Sequence, residues 1–485
     1  MSSVSDLIIQ ANPHWEEKLK EYLAEGGSIN DIDEYGFTLL IESAICGHVP
    51  LMQYLIAQGA DVNKQDVTGR TPLHWTVDSN NLQQTQALLS AKADPNIANR
   101  GGQSPLVFPL LREQPRIKNL LYQYGASLAF AQDFINTKFI GHRFEMVGAV
   151  DIVNAKGEFI ELDYEGFYLE FSLESILHSI SRFGNHFSFR KLRLAHAEWR
   201  DIMNAFFQAC HLIKYQDARA RTAYFKSDIQ SLFNSPLLIL PVAYQGHAIT
   251  FVRCGSLWAK CDRGENALTE GSVNIYWIGN QRALTHELLE NLLYQKQTKE
   301  FVHVQLNQLL GLKKIGSIPL SHQKAGNCSW ANVEATVPTA YVLIELSKLQ
   351  PMAEGEFKKV WPHLVKASMH LYEEWLNWDK DRALEECIQS FYESDEKRKA
   401  SKVAILGGVL FQSCQYLVPQ DMVRAEKILQ ILTKKEYTYI LQSYIEVYCE
   451  ARLTPLGNNL LQILEDLNVP GERSVTSVAT RLKNN

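Results

Sequence analysis

Three side chains able to activate a thiol occur along this 485-residue chain in the order His247, Asp262, Cys328. A cysteine is a nucleophile only as its thiolate. An imidazole that takes the thiol proton, and a carboxylate that holds the imidazole, are what that chemistry requires. Cys328 stands in HQKAGNCSWAN (322–332), where a loop runs into an apolar stretch, so the spacing predicts a helix start with Asn327 as N-cap. A thiol in the first helical turn faces the positive end of the helix dipole, which favours the thiolate. Gln323, five residues upstream, has a side-chain amide able to reach a developing oxyanion, with the Cys328 backbone N–H as a second donor.

His247 and Asp262 lie in YQGHAITFVRCGSLWAKCDRG. Two β-rich runs flank Gly255-Ser256, a pair suited to a two-residue type II′ turn. That turn sets Ile249 opposite Asp262 and His247 opposite Gly264, so His247 and Asp262 become diagonal neighbours on one face of the hairpin. Each residue also has a structural alternative. A cysteine at a helix start is commonly a small hydrophobe, a strand histidine a satisfied polar group, and an aspartate before Arg-Gly a turn residue. What favours chemistry is all of them together, in order and in compatible local structure.

Other sites are excluded more simply. HELLE (286–290) lacks the second histidine of a zinc-protease helix, and there is no P-loop, G-x-S-x-G elbow or dinucleotide fingerprint. The eight cysteines contain no C-x-x-C pair, so no cofactor and no metal site is expected, and the pattern suits a reducing compartment. A net charge of −6 without a basic block gives nucleic acid no direct hold. The most apolar run, VAILGGVLF (403–411), is far shorter than the roughly 18–20 residues of a membrane span. The N-terminal segment shows no secretory signal pattern.

The elements that must position the site fall into three stretches, within the range of about two to four domains for this length. Gly36, Gly69 and Gly102 are spaced by 33 residues, and Gly26, Gly59 and Gly125 fall on the same period, with Lys92 in the glycine position of the intervening copy. The clearest copy, DVTGRTPLHWTVDSNNLQQTQALLSAKADPN, carries Thr71-Pro72-Leu73-His74. The period and the TPLH motif resemble the ankyrin repeat, which implies an all-α solenoid of about four helix pairs over 1–130, with His74 a turn hydrogen-bonder. LIIQANPHWEEKLKEYLAEGGSIN reads as a capping copy. Over 131–345 an α+β domain is expected: VGAVDIVNAKGEFIELDYEGFYLEF alternates as strands, SPLLILPVAY reads as a buried strand, and HAEWRDIMNAFFQACHLI and RALTHELLENLLYQKQ as helices. From 346 to 485 the periodicity is helical, giving an all-α C-terminal domain with a frayed tail, SVTSVATRLKNN.

The residue order, the short His-to-Asp hairpin and the glutamine ahead of a cysteine-headed helix resemble the clan of ubiquitin-like-protein (SUMO) proteases and YopJ-type acetyltransferases. PVAYQGHAITFV is similar to that clan's histidine-bearing strand. The likeness covers about thirty residues around 238–264 and about ten around 322–332. It departs at Ala248, where the clan commonly has Trp, and at Gln323, one position closer to the cysteine than usual. It implies a cysteine-protease-like domain with Cys328 as nucleophile, His247 as base, Asp262 as orienter and Gln323 at the oxyanion.

The domain order as a whole resembles the ankyrin-repeat effectors that Legionella-type bacteria inject into host cells. That implies type IV secretion, action in the host cytoplasm with the nucleus also open to it, and host-protein partners held by the ankyrin repeats. Two functional classes follow. One is a thiol hydrolase cutting a peptide or isopeptide bond, with an acyltransferase as its variant. The other is a non-catalytic interaction module whose protease-like fold is a degenerate scaffold.

Overall fold

The computed structural model describes residues 14–33, 36–214, 226–264, 267–324, 326–349 and 354–467. The start of the capping copy (7–13) and the tail SVTSVATRLKNN lie outside them. The chain forms two compact units, Met1–Phe139 with Ala149–Asp163 and Ser390–Ile405, and Ile140–Gly148 with Tyr164–Gln389 and Leu406–Asn485.

In the first unit, α1 (Trp15–Ala24) precedes three helix pairs: α2 (Leu39–Ile45) with α3 (Val49–Ala57), α4 (Pro72–Asp78) with α5 (Leu82–Ser90), and α6 (Val107–Leu111) with α7 (Pro115–Gln123). One side chain per repeat ties each copy to the next. Asn30, Asn63 and Asn96 each use Oδ1 to accept the backbone N–H of Asp61, Asp94 and Ser127, at 2.8, 2.8 and 2.7 Å. Lys92 takes the left-handed conformation of its glycine counterparts, with φ +69° against +85° at Gly59 and +86° at Gly125. Thr71 caps α4: its N–H donates to His74 Nδ1 at 3.1 Å, and His74 Nε2 reaches the Gln103 carbonyl of the next repeat at 3.1 Å. Buried there, His74 is pushed down to about 4. It is a neutral turn hydrogen-bonder. The helix α8 (Leu128–Arg143) follows the repeats, and β1 (Ala149–Val153) pairs antiparallel with β2 (Phe159–Asp163).

In the second unit five antiparallel strands lie in sequence order: β3 (Leu237–Tyr244), β4 (His247–Cys254), β5 (Leu257–Cys261), β6 (Val273–Trp277) and β7 (Lys313–Ile318). Leu238, Leu240, Ile249, Phe251 and Trp258 belong to one buried cluster with Leu289 and Leu292 of the helix His286–Tyr294. The helices α9 (Leu169–Asn185) and α10 (His196–Lys214) precede the sheet. After it come α11 (Cys328–Glu334), α12 (Thr336–Lys348), and a helical region running Glu354–Glu393, Glu396–Ser413, Pro419–Leu432, Thr438–Ile445 and Pro455–Asp466.

One expectation changes here. The strand reading of YEGFYLEF gives way after Asp163, because Phe171, Ile176, Ile180 and Phe183 recur at helical spacing and are buried on one face of α9.

Candidate functional site

The site is built on two tight turns and one helix start. Tyr244 pairs with His247 around Gln245-Gly246, whose φ values of +44° and +80° make the turn type I′. Cys254 pairs with Leu257 around Gly255-Ser256, where Gly255 has φ +58°, as a type II′ turn requires at its first central position. These turns fix the register that sets Thr250 opposite Cys261, and there the β4–β5 ladder ends. Beyond it, His247 Nε2 meets Asp262 Oδ1 at 3.1 Å. The Asp262 side chain is 3% exposed and that of His247 is 25%, so the pair opens outward on the histidine side.

Cys328 is the first residue of α11. Its thiol and the His247 imidazole each stabilise the other's charged form. A hydrogen bond comes from the sheet, as the Ala248 backbone N–H donates to Cys328 Sγ at 3.4 Å. Burial raises the thiol's pKa, but the His247 hydrogen bond and charge, with the Ala248 and Ser329 backbone groups, outweigh it and hold Cys328 below its ordinary value. Burial likewise opposes the imidazolium, yet hydrogen bonds with Asp262 and Cys328 push His247 up to about 9. The Asp262 carboxyl also sits below its usual range: burial is outweighed by His247 and the Gly264 N–H, which donates to Oδ1 at 3.0 Å. Near neutral pH these shifts favour thiolate facing imidazolium.

The structure therefore brings Cys328, His247 and Asp262 together. Gln323 is tied to the segment after Asp262 through its backbone, where its N–H donates to the Arg263 carbonyl at 2.8 Å. Its side-chain Oε1 is buried without a hydrogen-bond partner. Rotating that amide by half a turn presents N–H groups to the same spot. Asn327 does occupy the N-cap position, but its side chain makes no cap hydrogen bond. Its Oδ1 is drawn instead to His142 Nδ1 at 2.6 Å, in a buried contact.

Residues that escaped sequence reasoning surround this group. Arg263 is almost wholly buried; Nε donates to the Ser321 carbonyl at 2.7 Å and Nη2 to Glu145 at 2.8 Å, with Nη1 3.5 Å from Glu334. That clamp holds the segment following Asp262 against the one leading to Gln323. A Cβ at Gly264 would lie 2.7 Å from His247 Cε1 and 3.0 Å from Nε2, so any larger residue must displace the imidazole. The fully buried Asn332 reaches both strands of the hairpin. Among the described residues no group of His, Cys, Asp and Glu is arranged to hold a metal, and no helix is long and apolar enough to cross a membrane.

Residues 8–128 match the family model for ankyrin repeats in three copies. A solved structure of the Legionella effector AnkH is 50% identical, with a TM-score of 0.81, over 97% of this chain and 98% of that one. The chain belongs to the AnkH family of ankyrin-repeat Legionella effectors. No curated protein sequence matches it. As a member of the AnkH family it combines an all-α ankyrin solenoid, a central α+β domain and an all-α C-terminal region.

Proposed function

We propose that this AnkH-family chain acts inside a host cell as a thiol-dependent hydrolase of peptide or isopeptide bonds, with its ankyrin repeats holding a host protein. The observation that carries the reading is the double engagement of the Cys328 sulfur, by the His247 imidazole and by the Ala248 N–H. A structural cysteine needs neither.

His247 takes the thiol proton, and Asp262 fixes the ring. The thiolate attacks the carbonyl carbon. The resulting oxyanion is met by the Cys328 N–H, which at the first helical position has no intrahelical partner, and by the Gln323 amide. His247 returns its proton to the leaving amine, and a water activated by the same imidazole hydrolyses the thioester, releasing the acid and restoring the thiol. An amine acceptor in place of water would make the same intermediate an acyl-transfer step.

The test is alkylation of Cys328 by iodoacetamide across pH, read by mass spectrometry. A thiol near the ordinary value of about 8.5 is almost wholly protonated at pH 6. Wild-type Cys328 should label rapidly at pH 6, while the seven other cysteines label slowly. His247→Ala should move the midpoint back toward the free-thiol value, at least tenfold slower at pH 6. A wild-type profile centred at about 8.5 or above, unmoved by His247→Ala, overturns the reading and leaves a non-catalytic scaffold.

A further inference from the structure

The hydrogen bonding where the β4–β5 ladder stops shows what holds the site open. Continuing the register two residues past Thr250 and Cys261 sets Ala248 opposite Arg263. In an antiparallel ladder with a two-residue turn, that rung is a hydrogen-bonded pair exchanging two N–H to carbonyl bonds. Neither bond is made directly. The Asn332 side chain stands in one: its Nδ2 donates to the Ala248 carbonyl at 2.7 Å, and its Oδ1 accepts the Arg263 N–H at 2.6 Å. The other is divided. The Ala248 N–H turns to Cys328 Sγ, and the Arg263 carbonyl accepts the Gln323 N–H. All four backbone groups of the rung are satisfied, and three of the four bonds involve Asn332 or Cys328, which lie one turn apart on α11.

The geometry points to Asn332 as a positioning residue, a spacer that parts one rung of the sheet so that the Ala248 N–H is free to hold the thiolate. A side-chain amide is well suited to the place, since it carries one donor group and one acceptor and so mimics the missing peptide partner on each side. An aliphatic residue there would leave a buried carbonyl and a buried N–H unpaired, or let the strands close on each other. Closing the rung would redirect the Ala248 N–H to the Arg263 carbonyl, which would displace Gln323 and remove a donor from the sulfur. Asn332 needs no contact with substrate to act in this way.

The inference rests on the thiolate reading above, and one experiment separates the two. Cys328 alkylation against pH is measured in full-length wild type, Asn332→Ala, Asn332→Leu and Thr336→Val. The last removes a neighbouring buried hydroxyl that bonds only back to Val333 at 2.6 Å. Thermal unfolding of each is followed in parallel. We expect both Asn332 variants to shift the Cys328 midpoint upward by about one unit or more, with labelling at pH 6 about tenfold slower. Thr336→Val should lower stability without moving the midpoint. Asn332→Leu keeps the volume and adds no charge but loses both the donor and the acceptor, so it decides the matter where Asn332→Ala fails to fold. A folded Asn332 variant with the wild-type profile overturns the spacer role and leaves the site reading intact. A midpoint shift in Thr336→Val of the same size also overturns it, as general loosening. An ordinary thiol in wild type overturns the site reading itself.

Discussion

His74 and His247 are the same side chain in two settings, one in the ankyrin repeats and one on the sheet. His74 is fully buried among neutral hydrogen-bond partners and falls to about 4. His247 is also penalised by burial, yet rises to about 9 because a carboxylate and a thiol favour its charged form. Burial pushes both imidazoles toward neutrality, so the difference lies in the partners. A neutral histidine fixes a turn and joins two repeats. A charged one can hold a thiolate and later deliver a proton.

The contrast breaks most completely if the carboxylate is removed. Asp262→Asn keeps the shape and one hydrogen bond but deletes the charge. His247 should then drop by about two units, towards the range of His74, because burial is then opposed by Cys328 alone. Titration of the imidazole Hε1 resonance by NMR checks this. If His247 stays near 9, Asp262 is not what raises it.

A smaller break leaves the charge and moves the ring. In Gly264→Ala the new methyl would sit 2.7 Å from His247 Cε1, so the imidazole must shift by several tenths of an ångström. Cys328 labelling at pH 6 should slow by about tenfold, since its hydrogen bond with His247 is lengthened while the dipole and the Ala248 N–H remain. An unchanged labelling rate would mean that the ring has room the packing denies it.

The two settings also differ in how far the sequence disclosed them. The role of His74 is stated by TPLH and a 33-residue period, because a repeat writes its contacts several times. The hairpin register was equally readable, since Gly255-Ser256 admits few turns and the turn fixes each later pair. Asn332, Arg263 and Gly264 were not readable in their roles. Each acts once, across 69 residues in the case of Asn332 and Arg263, and no periodicity announces a single long-range contact. The asparagines make the same point. Asn30, Asn63 and Asn96 each accept a distant backbone N–H through Oδ1, as Asn332 does, but recur every 33 residues. Asn327 shows the converse, for a locally ideal cap was overridden by His142, 185 residues away.

The smallest effect is on stability against pH, where the two histidines act with opposite signs. His74 titrates at about 4 in the folded chain, below its ordinary 6.5, so its contribution is present above pH 6.5 and lost as pH falls through about 4. His247 titrates at about 9, above its ordinary 6.5, so its contribution is present below pH 6.5 and lost as pH rises through about 9. Cys328 opposes that loss. Its lowered value contributes stability that is present above its ordinary value and disappears as pH falls. Between pH 6.5 and 9 the two groups therefore act against each other, and wild-type stability should change less with pH than His247 alone would make it. Cys328→Ser removes the compensating group and leaves His247 raised by Asp262 alone. Its melting temperature should fall by about 1–2 °C more than wild type between pH 6.5 and 9. The check is a set of thermal unfolding curves at half-unit pH steps on both proteins. Parallel curves across that window would mean that Cys328 and His247 do not share a proton, and would leave Asp262 as the partner that separates the two histidines.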